Sequence, residues 1–447
     1  MKWSNLVYLP THRMASDAIR CALAETQWLA NQGHSAPVFC LIENGLRSEQ
    51  SREHREVLIK EGRAAGISWL HLTEDRAGAL VDLTLDELEL SPAERSRLRA
   101  LLLPQGTSYG RGPNLAAILG CALGCSVLHR RDSDIYLDDA RAGELPVEFE
   151  ASFIGQSLDA VSGRIERVDE FTPAPSALVQ MVGTSSFGAP TFDRRDLMAA
   201  GKRYLVEFQQ LGRPGSEEPE VAEEAFDYFI REPSTRYDND RLEVDIDNRI
   251  EMECVAVSTV FKVLPEMPTG IIGCDYMQKD LLWWSGEGLI FHTRKVRHQY
   301  APDREARADL AAYLDYAMRD VEYIQMGRVW QRHNMQMQRF RSRHRGLVQF
   351  DPESYVSSFR QAVEQVGSEL EEVRGGAQQV YESAAAASSG DLAGRLKAVA
   401  DVIADRGPAM DQRVREAVED YCVLVLAWRE LCEFAAHVEV PSEWIST

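Results

Sequence analysis

The sequence predicts an α/β protein in which a doubly wound, mostly parallel sheet is followed by an all-α C-terminal region. Two observations carry this prediction. Apolar runs alternate with amphipathic helical segments over the first 135 residues, and the pattern is helical from about residue 302 to near the end. Ligands of such sheets bind at the carboxyl ends of the strands. We therefore look for functional residues where strands pass into loops.

The elements of the first part follow from short apolar runs and the turn signals that end them. The first strand ends at Pro10, the first helix stops at Gly33, and the second strand ends at Glu43-Asn44-Gly45. The predicted strands are residues 5–9, 38–42, 67–72 and 126–129, and the predicted helices are 16–30 and 113–124.

The later part is less regular up to about residue 270. Apolar residues alternate with acids over 242–250, which predicts a half-buried strand whose acids face solvent. Residues 383–394 (SAAAASSGDLAG) are either a connector or an extension of a helix. We place one domain at 1–301, with halves 1–135 and 136–301, and a helical domain at 302–447.

Composition excludes several classes of protein. With 447 residues and a formal net charge of −21, the chain is a poor candidate for binding nucleic acid through phosphate contacts. It contains no run of 18 apolar residues and no secretory signal pattern, so we expect no membrane span and a cytoplasmic location. Its eight cysteines sit mostly in apolar stretches, as reduced thiols do.

The strongest functional motif is Asp132-Ser133-Asp134, at the end of the fourth predicted strand. Two carboxylates separated by one residue can bind a divalent cation and hold a diphosphate against it. An acidic turn that only faces solvent is the alternative. Upstream, residues 109–114 (YGRGPN) open a helix with an arginine near its N-terminus, where phosphate is favoured.

Four segments, in order, resemble GT-A glycosyltransferases. They are LPTHR at 9–13, IENG at 42–45, GRGPNLAAILGCALGCSVLHRRDSD at 110–134, and TGIIGCDYMQKDLLWWSGEGLIFHTRKVRHQY at 269–300. The resemblance implies a GT-A catalytic domain and a hexosyltransferase that moves a sugar from a nucleoside-diphosphate sugar to an acceptor. It also implies a divalent metal cofactor, Mn²⁺ or Mg²⁺. The acceptor, a small molecule or a peptide, stays open.

The resemblance also implies roles for residues that match the family motifs. For the nucleotide, Thr11 and Arg13 would line the pocket, Glu43 would reach the base or ribose, and Arg111 and Asn114 would flank it. For the metal and the chemistry, Asp132 would contact ribose or metal, Asp134 and His298 would ligate the metal, and Asp275 would be the catalytic base. Cys274 departs from the family, which often has an acid there, and His292 competes with His298.

Other motifs have simpler structural readings. Cys121, Cys125 and His129 recur every four residues, which we interpret as core packing because a fourth metal ligand is missing. Gly110-x-Gly112 lacks the third glycine of a dinucleotide site. A basic segment at 328–345, without acids, either binds an anionic substrate or forms a solvated or docking face.

The sequence is also compatible with two alternatives to a glycosyltransferase. One is a nucleotidyltransferase on a similar fold, and the other is a non-catalytic protein that binds nucleotide sugars or acts as a scaffold. The helical region would shape the acceptor site or form a homo-oligomer interface.

Overall fold

A computed structural model describes residues 3–33, 36–137, 145–165, 174–188, 192–213, 242–245, 249–292, 296–298, 309–341, 347 and 350–447. Within these residues, the strands form a nine-stranded sheet in the order β12-β3-β2-β1-β4-β9-β6-β10-β8 and a three-stranded sheet in the order β5-β11-β7. The strands are β1 Asn5–Thr11, β2 Val38–Glu43, β3 Ser68–Leu72, β4 Val127–Arg131, β5 Ile135–Leu137, β6 Val179–Gly183, β7 Ser186–Gly188, β8 Leu242–Val244, β9 Cys254–Val257, β10 Gly288–His292, β11 Val296–His298 and β12 Ile445–Ser446.

Most of the large sheet is parallel. β3, β2, β1 and β4 run in one direction, and β6 and β10 are parallel to each other. β9 is antiparallel to both β4 and β6, β8 to β10, and β12 to β3. The chain builds outward from β1 to β3 and then returns to place β4 beside β1. This reversal creates a topological switch point between β1 and β4, where ligands of such sheets bind.

Helices cover both faces of the sheet and follow the strands closely in sequence. They are α1 Ser16–Asn31, α2 Ser48–Val57, α3 Arg63–Ala65, α4 Glu74–Asp86, α5 Pro92–Leu102, α6 Arg111–Leu123, α7 Pro146–Phe153, α8 Leu158–Val161, α9 Arg195–Ala200, α10 Lys202–Gln210, α11 Met277–Ser285, α12 Leu310–Arg341, α13 Pro352–Gln365, α14 Gly367–Ala386 and α15 Gly390–Ala435. A π-helical segment, Leu58–Gly62, joins α2 to α3.

The alternation of side chains along β1 builds two separate cores. Leu6 and Tyr8 pack on one face with α4, α5, α6 and the C-terminal helices. Val7 and Leu9 pack on the other face with α1 and α7. Because β1 is covered on both faces, its residues 6–9 are a continuous run of buried apolar and aromatic side chains, as expected of a central parallel strand. The predicted fold class, a doubly wound α/β sheet followed by helices, is confirmed.

The C-terminal helices share a core with the sheet. α15 contacts α4, α5 and α6, and its buried Trp428 donates a hydrogen bond from Nε1 to the Phe261 carbonyl at 2.9 Å. Tyr421 lies in the same core, and its hydroxyl contacts the carbonyl of Pro265 at 3.3 Å. The helical region thus packs on the helices that cover the sheet and shares their core, while a domain boundary at 301 stays a prediction.

The structure differs from the predicted strand at 242–250 and decides the conformation of the segment at 383–394. The strand predicted over 242–250 is shorter, because β8 ends at Val244 and Asp245 is buried. The Asp245 carboxylate accepts hydrogen bonds from the Arg249 and Ile250 N–H groups at 2.9 and 3.0 Å, so it closes a turn instead of facing solvent. Asp247 lies outside the described residues. In the 383–394 segment, both alternatives hold in part: the alanines extend α14 to Ala386, and residues 387–389 connect it to α15, which begins at Gly390.

Among the described helices, none combines the length and the apolar character that crossing a membrane would require.

Candidate active site

Two loops meet at the carboxyl edge of the large sheet, one after β1 and one after β4. The two strands run parallel with Tyr8 opposite Arg130, so residues 11–13 and 132–134 lie side by side. Thr11 shapes the first loop: its Oγ1 accepts a hydrogen bond from the Arg13 N–H at 3.1 Å and donates to the Arg13 carbonyl at 2.7 Å. The Thr11 side chain therefore holds Arg13 in position beside the second loop.

Asp134 is the point where three elements converge. Its Oδ2 lies 3.2 Å from Arg13 Nη1 and 3.4 Å from His298 Nε2. The small sheet explains the second contact, because β11 pairs with β5 so that His298 stands opposite Ile135, the residue after Asp134. Glu253 adds a further carboxylate, with Oε1 3.7 Å from His298 Nε2. The structure thus brings together Arg13, Asp134 and His298, which the sequence placed in one site.

The competing histidine lies elsewhere. His292 is the last residue of β10, where its ring stacks on Phe149 of α7 with 5.2 Å between ring centroids. Of the two histidines, His298 is therefore the one in contact with Asp134.

Asp132 has a different environment from Asp134. Its Oδ1 and Oδ2 accept hydrogen bonds from Arg130 Nε and Nη2 at 2.8 and 3.1 Å. The third nitrogen of the same guanidinium, Nη1, forms an ion pair with Asp275 Oδ2 at 2.8 Å. Burial raises the pKa of Asp132, and the negative charges of Asp134 and Asp275 add to the rise, against the effect of Arg130. One buried arginine thus links the predicted donor-side acid to the predicted base.

Asp275 lies in the loop before α11, which a buried acid supports. Glu266 accepts hydrogen bonds from the N–H groups of Met277 and Gln278 at 2.9 and 3.3 Å, at the start of that helix. Burial raises the pKa of Glu266 to about 8, and the charge of Asp275 contributes to the rise. Glu266 is therefore largely protonated at neutral pH, close to the predicted base.

Asn114, in the first turn of α6, ties that helix to the loop that contains Glu266. Its Nδ2 donates to the carbonyl of Glu266 at 2.8 Å, and its Oδ1 accepts the N–H of Glu266 at 2.8 Å. Both polar atoms of the Asn114 side chain are used in this way. The predicted contact of Asn114 with a nucleotide stays a prediction.

Arg111 fixes the turn after β2. It donates from Nη1 to Asn44 Oδ1 at 2.7 Å and from Nη2 to Glu74 Oε2 at 2.5 Å, while Glu74 Oε1 accepts the Gly45 N–H at 2.6 Å. The Nε of Arg111 is buried and has no hydrogen-bond partner in the described part of the chain. Arg111 therefore lies at the predicted nucleotide edge with one donor atom unused.

The glycines beside Arg111 serve close packing. A Cβ on Gly110 would lie 2.4 Å from the Met267 carbonyl oxygen, and a Cβ on Gly112 would lie 2.5 Å from Cβ of Pro10. The Gly-x-Gly spacing thus lets the start of α6 approach β1 and the loop that precedes Asp275.

Glu43 sits at the end of β2 in a buried cluster. Its Oε1 lies 2.6 Å from His71 Nε2 and 3.4 Å from His54 Nδ1, and its Oε2 accepts a hydrogen bond from Ser51 Oγ at 2.7 Å. His54 Nε2 accepts the Ala15 N–H at 3.1 Å, so its Nδ1 carries the proton donated to Glu43. Burial works to raise the pKa of Glu43, but the hydrogen bonds from His54 and His71 outweigh it and lower the pKa to about 2. The predicted contact with base or ribose stays a prediction.

A second charged network lies behind β4, on the opposite face from Arg130. Arg131 donates to Glu25 of α1 at 2.5 Å and to Glu150 of α7 at 2.8 Å, and His129 lies between Glu150 and Asn5. This network anchors the strand that carries the acidic motif. The sequence offered a signal for it, because Glu25 interrupts the apolar face of the first predicted helix.

Cys121, Cys125 and His129 are buried, and His129 belongs to β4 rather than to a helix.

In the described part of the basic segment, the arginines hold α12 against neighbouring helices. Arg332 Nη2 and Arg328 Nη1 pair with Glu369 of α14 at 2.6 and 3.7 Å, and Arg328 Nε donates to the Leu211 carbonyl at 2.7 Å. His333 is stacked on Phe359, and burial lowers its pKa to about 3. The side chains of Arg339, Arg341, Arg343, His344 and Arg345 lie outside the described residues.

The side chains of Asp134 and His298 suit a divalent cation whose remaining ligands come from water or a substrate. Across the described ranges, no group of three or more His, Cys, Asp or Glu side chains is arranged to hold a metal ion. Asp134 and His298 nevertheless offer one oxygen and one nitrogen donor 3.4 Å apart. Mg²⁺ and similar cations are commonly bound by one or two protein carboxylates, with water and substrate phosphates completing the shell.

Fold and site together define an α/β protein with a cluster of charged side chains at the switch point of its sheet. The chain belongs to a protein family of unknown function (DUF6271), whose match spans residues 6–444. A comparison with curated proteins gives no match.

Solved structures share a weak likeness with the chain. Glucosyl-3-phosphoglycerate synthase from Mycobacterium tuberculosis, in complex with phosphoglyceric acid, is 13% identical, with 72% of this chain and 78% of that chain covered and a TM-score of 0.31. The same synthase with Mn²⁺, uridine diphosphate and glucosyl-3-phosphoglycerate is 14% identical, with 70% and 80% covered and a TM-score of 0.28. A mycobacterial protein is 12% identical, with 72% and 73% covered and a TM-score of 0.30. Likeness at this level assigns no substrate or metal to this chain.

Proposed function

We propose that this protein is a glycosyltransferase that uses a nucleoside-diphosphate sugar and a divalent cation. The observation that carries the proposal is the convergence of Arg13, Asp134 and His298 at the switch point between β1 and β4. All three residues are buried. A guanidinium, a carboxylate and an imidazole brought together at this edge suit a diphosphate and the cation that neutralises it.

In this proposal, Asp134 and His298 hold the cation, Mn²⁺ or Mg²⁺. Bound there, it supplies a Lewis acid for the negative charge that develops on the departing nucleoside diphosphate. Arg13 lies on the same side of Asp134 and binds the diphosphate as a second positive charge. Asp132 is held by Arg130 through both oxygens, so we assign it to ribose contact or to an outer position at the cation.

Asp275 acts as the base in this scheme. The acceptor hydroxyl oxygen forms a bond to the anomeric carbon, its proton passes to the Asp275 carboxylate, and the bond between the anomeric carbon and the diphosphate oxygen breaks. The electron pair of that bond leaves with the nucleoside diphosphate. Support comes from the Arg130 ion pair, which places Asp275 on the same guanidinium as the donor-side acid Asp132.

The test is a thermal-shift screen of nucleoside diphosphates and nucleotide sugars, each with and without Mn²⁺. A ligand that binds only the folded state raises the melting temperature. At a ligand concentration one hundred times its Kd, the free energy of unfolding increases by about 2.7 kcal/mol. We expect at least one nucleotide to stabilise the protein only with Mn²⁺, and the matching nucleotide sugar to be slowly hydrolysed.

Asp134→Asn should abolish the Mn²⁺-dependent part of this stabilisation while the protein stays folded. Asp75→Asn is the matched control, because Asp75 is an exposed acid in the first turn of α4. If no nucleotide stabilises the wild type with Mn²⁺, or if Asp134→Asn responds like the wild type, the proposal is wrong.

A further inference from the structure

We infer that Arg130 is the positioning residue that orients Asp275 for catalysis. The inference rests on the proposed function and goes beyond it, because neither the acidic motif nor the base position includes Arg130. Its starting point is a single guanidinium that uses Nε and Nη2 for Asp132 and Nη1 for Asp275. Arg130 is only 4% exposed, so these contacts are shielded from solvent.

The two acids that Arg130 joins come from distant parts of the chain. Asp132 follows Arg130 on the same strand end, whereas Asp275 belongs to the loop before α11. Bidentate contact with Asp132 fixes the plane of the guanidinium, because a guanidinium and a carboxylate interact in a planar fork. The remaining nitrogen, Nη1, then lies 2.8 Å from Oδ2 of Asp275, which makes an ion pair without the angles of a hydrogen bond. On this inference, the ion pair orients Asp275 through Oδ2, and Oδ1 accepts the proton of the acceptor hydroxyl.

Charge supports the same role. A buried carboxylate is costly unless a positive charge compensates it. The nearby Glu266 does not compete for Arg130, because burial raises its pKa to about 8 and it is largely neutral at pH 7. The charge of Arg130 is thus shared between Asp132 and Asp275, and it keeps a carboxylate base in place beside a second acid.

Strand β4 provides a matched control at the next position. Arg131 is equally buried and also lies between two carboxylates, Glu25 and Glu150, but on the opposite face of the sheet. Arg130→Lys and Arg131→Lys are therefore the same chemical change in the same strand. Only the first removes the fork that connects Asp132 with Asp275.

The experiment measures kcat and donor KM for hydrolysis of the nucleotide sugar by wild type, Arg130→Lys, Arg131→Lys, Asp275→Asn and the double variant Arg130→Lys/Asp275→Asn. We expect Arg130→Lys to lower kcat at least about tenfold, since a misplaced general base costs rate, and to raise donor KM as well, because Arg130 also holds Asp132. Arg131→Lys should lower the melting temperature while its kcat stays within about threefold of wild type.

The double variant distinguishes positioning from a general structural role. If Arg130 acts through Asp275, removing Arg130 from the Asp275→Asn protein should cause no further loss of kcat. Multiplied losses in the double variant, or a rise in donor KM at unchanged kcat, would overturn the inference while the proposed function stands. If the wild type hydrolyses no nucleotide sugar, the proposed function fails, and this role with it. Should Arg130→Lys not fold, Arg130→Gln is measured in the same way.

Discussion

Nη1 of Arg13 lies 3.2 Å from Oδ2 of Asp134, although the two residues are 121 positions apart. The register of β1 beside β4 brings them together, and both are less than a tenth exposed. A fixed positive charge therefore already contacts the carboxylate that we assign to the divalent cation. Since like charges repel, Arg13 and the cation compete for Asp134 until a diphosphate adds its own negative charge.

This competition predicts opposite effects of Arg13→Met on two ligands. Binding of Mn²⁺ alone should become tighter, because a neighbouring positive charge is removed. Binding of the nucleoside diphosphate with Mn²⁺ should weaken about tenfold, which corresponds to the loss of one charge-assisted hydrogen bond. Isothermal titration calorimetry of both ligands measures the two effects.

Arg20→Gln is the control for Arg13→Met, because Arg20 pairs with Asp17 on the surface of α1. It should change neither affinity. A change of the same sign for both ligands in Arg13→Met would show that Arg13 acts on the fold rather than on charge at the site.

The buried cluster around Glu43 predicts a pH dependence of stability. The hydrogen bonds lower the pKa of Glu43 from 4.5 to about 2, so its stabilisation is present above pH 4.5 and is lost as the pH falls towards 2. Glu43→Gln should therefore cost on the order of 2 kcal/mol at pH 7, and the difference from wild type should shrink between pH 4.5 and pH 3. Urea unfolding at several pH values measures it.

Glu53→Gln changes an exposed acid on α2 and should leave the same curves within about 0.5 kcal/mol of wild type. A Glu43→Gln difference that is independent of pH would contradict the assignment of the low pKa. Nucleotide affinity, measured on the same variant, tests the separate prediction that Glu43 reaches the base or ribose.

The sequence predicts much of residues 1–135, because the signals for the strands there are local. Apolar runs and turn residues locate β1, β2, β3 and β4, and with them Thr11, Glu43 and the acids after β4. The structure adds two residues to each of β1 and β4, whose last positions are polar or proline. The parallel pairing of β1 with β2 continues at Pro10 and Thr11, and the antiparallel pairing of β4 with β9 continues to Arg131, because the neighbouring strand supplies hydrogen bonds whatever the side chain.

The rest depends on pairing between distant segments, for which one sequence gives little signal. The antiparallel β9 between β4 and β6, and the pairing of β11 with β5, decide which residues face Asp134. The resemblance predicts His298 beside Asp134, whereas it does not point to Arg130 or Glu266. Two arginines directly before an acidic motif, at the end of a buried strand, were the signal for Arg130. Glu266 had no comparable local signal, since its partners lie 11 and 12 residues further on.

Glu266 predicts the opposite pH dependence from Glu43. Burial raises its pKa from 4.5 to about 8, so the folded state loses stability relative to the unfolded state as the pH rises through this range. Glu266→Gln keeps an acceptor for the N–H groups of Met277 and Gln278 but cannot ionise. Its stability relative to wild type should therefore increase from pH 5 to pH 8, by up to several kcal/mol.

Chemical unfolding at pH 5, 6, 7 and 8 tests this change, with Glu89→Gln, an exposed acid, as the control. If the unfolding free energies of Glu266→Gln and wild type changed in parallel with pH, Glu266 would have its ordinary pKa in the folded protein.

The contact between Trp428 and Phe261 predicts that the helical region and the sheet unfold together. Trp428 is fully buried in the core that α15 shares with β1, and its Nε1 donates to the Phe261 carbonyl at 2.9 Å. Trp428→Phe removes the donor and leaves a small cavity, which should cost about 2–4 kcal/mol. Leu426 lies on the same helix and is 37% exposed, so Leu426→Ala should cost less than about 0.5 kcal/mol. Urea unfolding followed by circular dichroism and by tryptophan fluorescence should show one shared transition, shifted to lower urea in Trp428→Phe. Two separate transitions, with only one shifted, would mean that the helices form an independent domain despite the shared core.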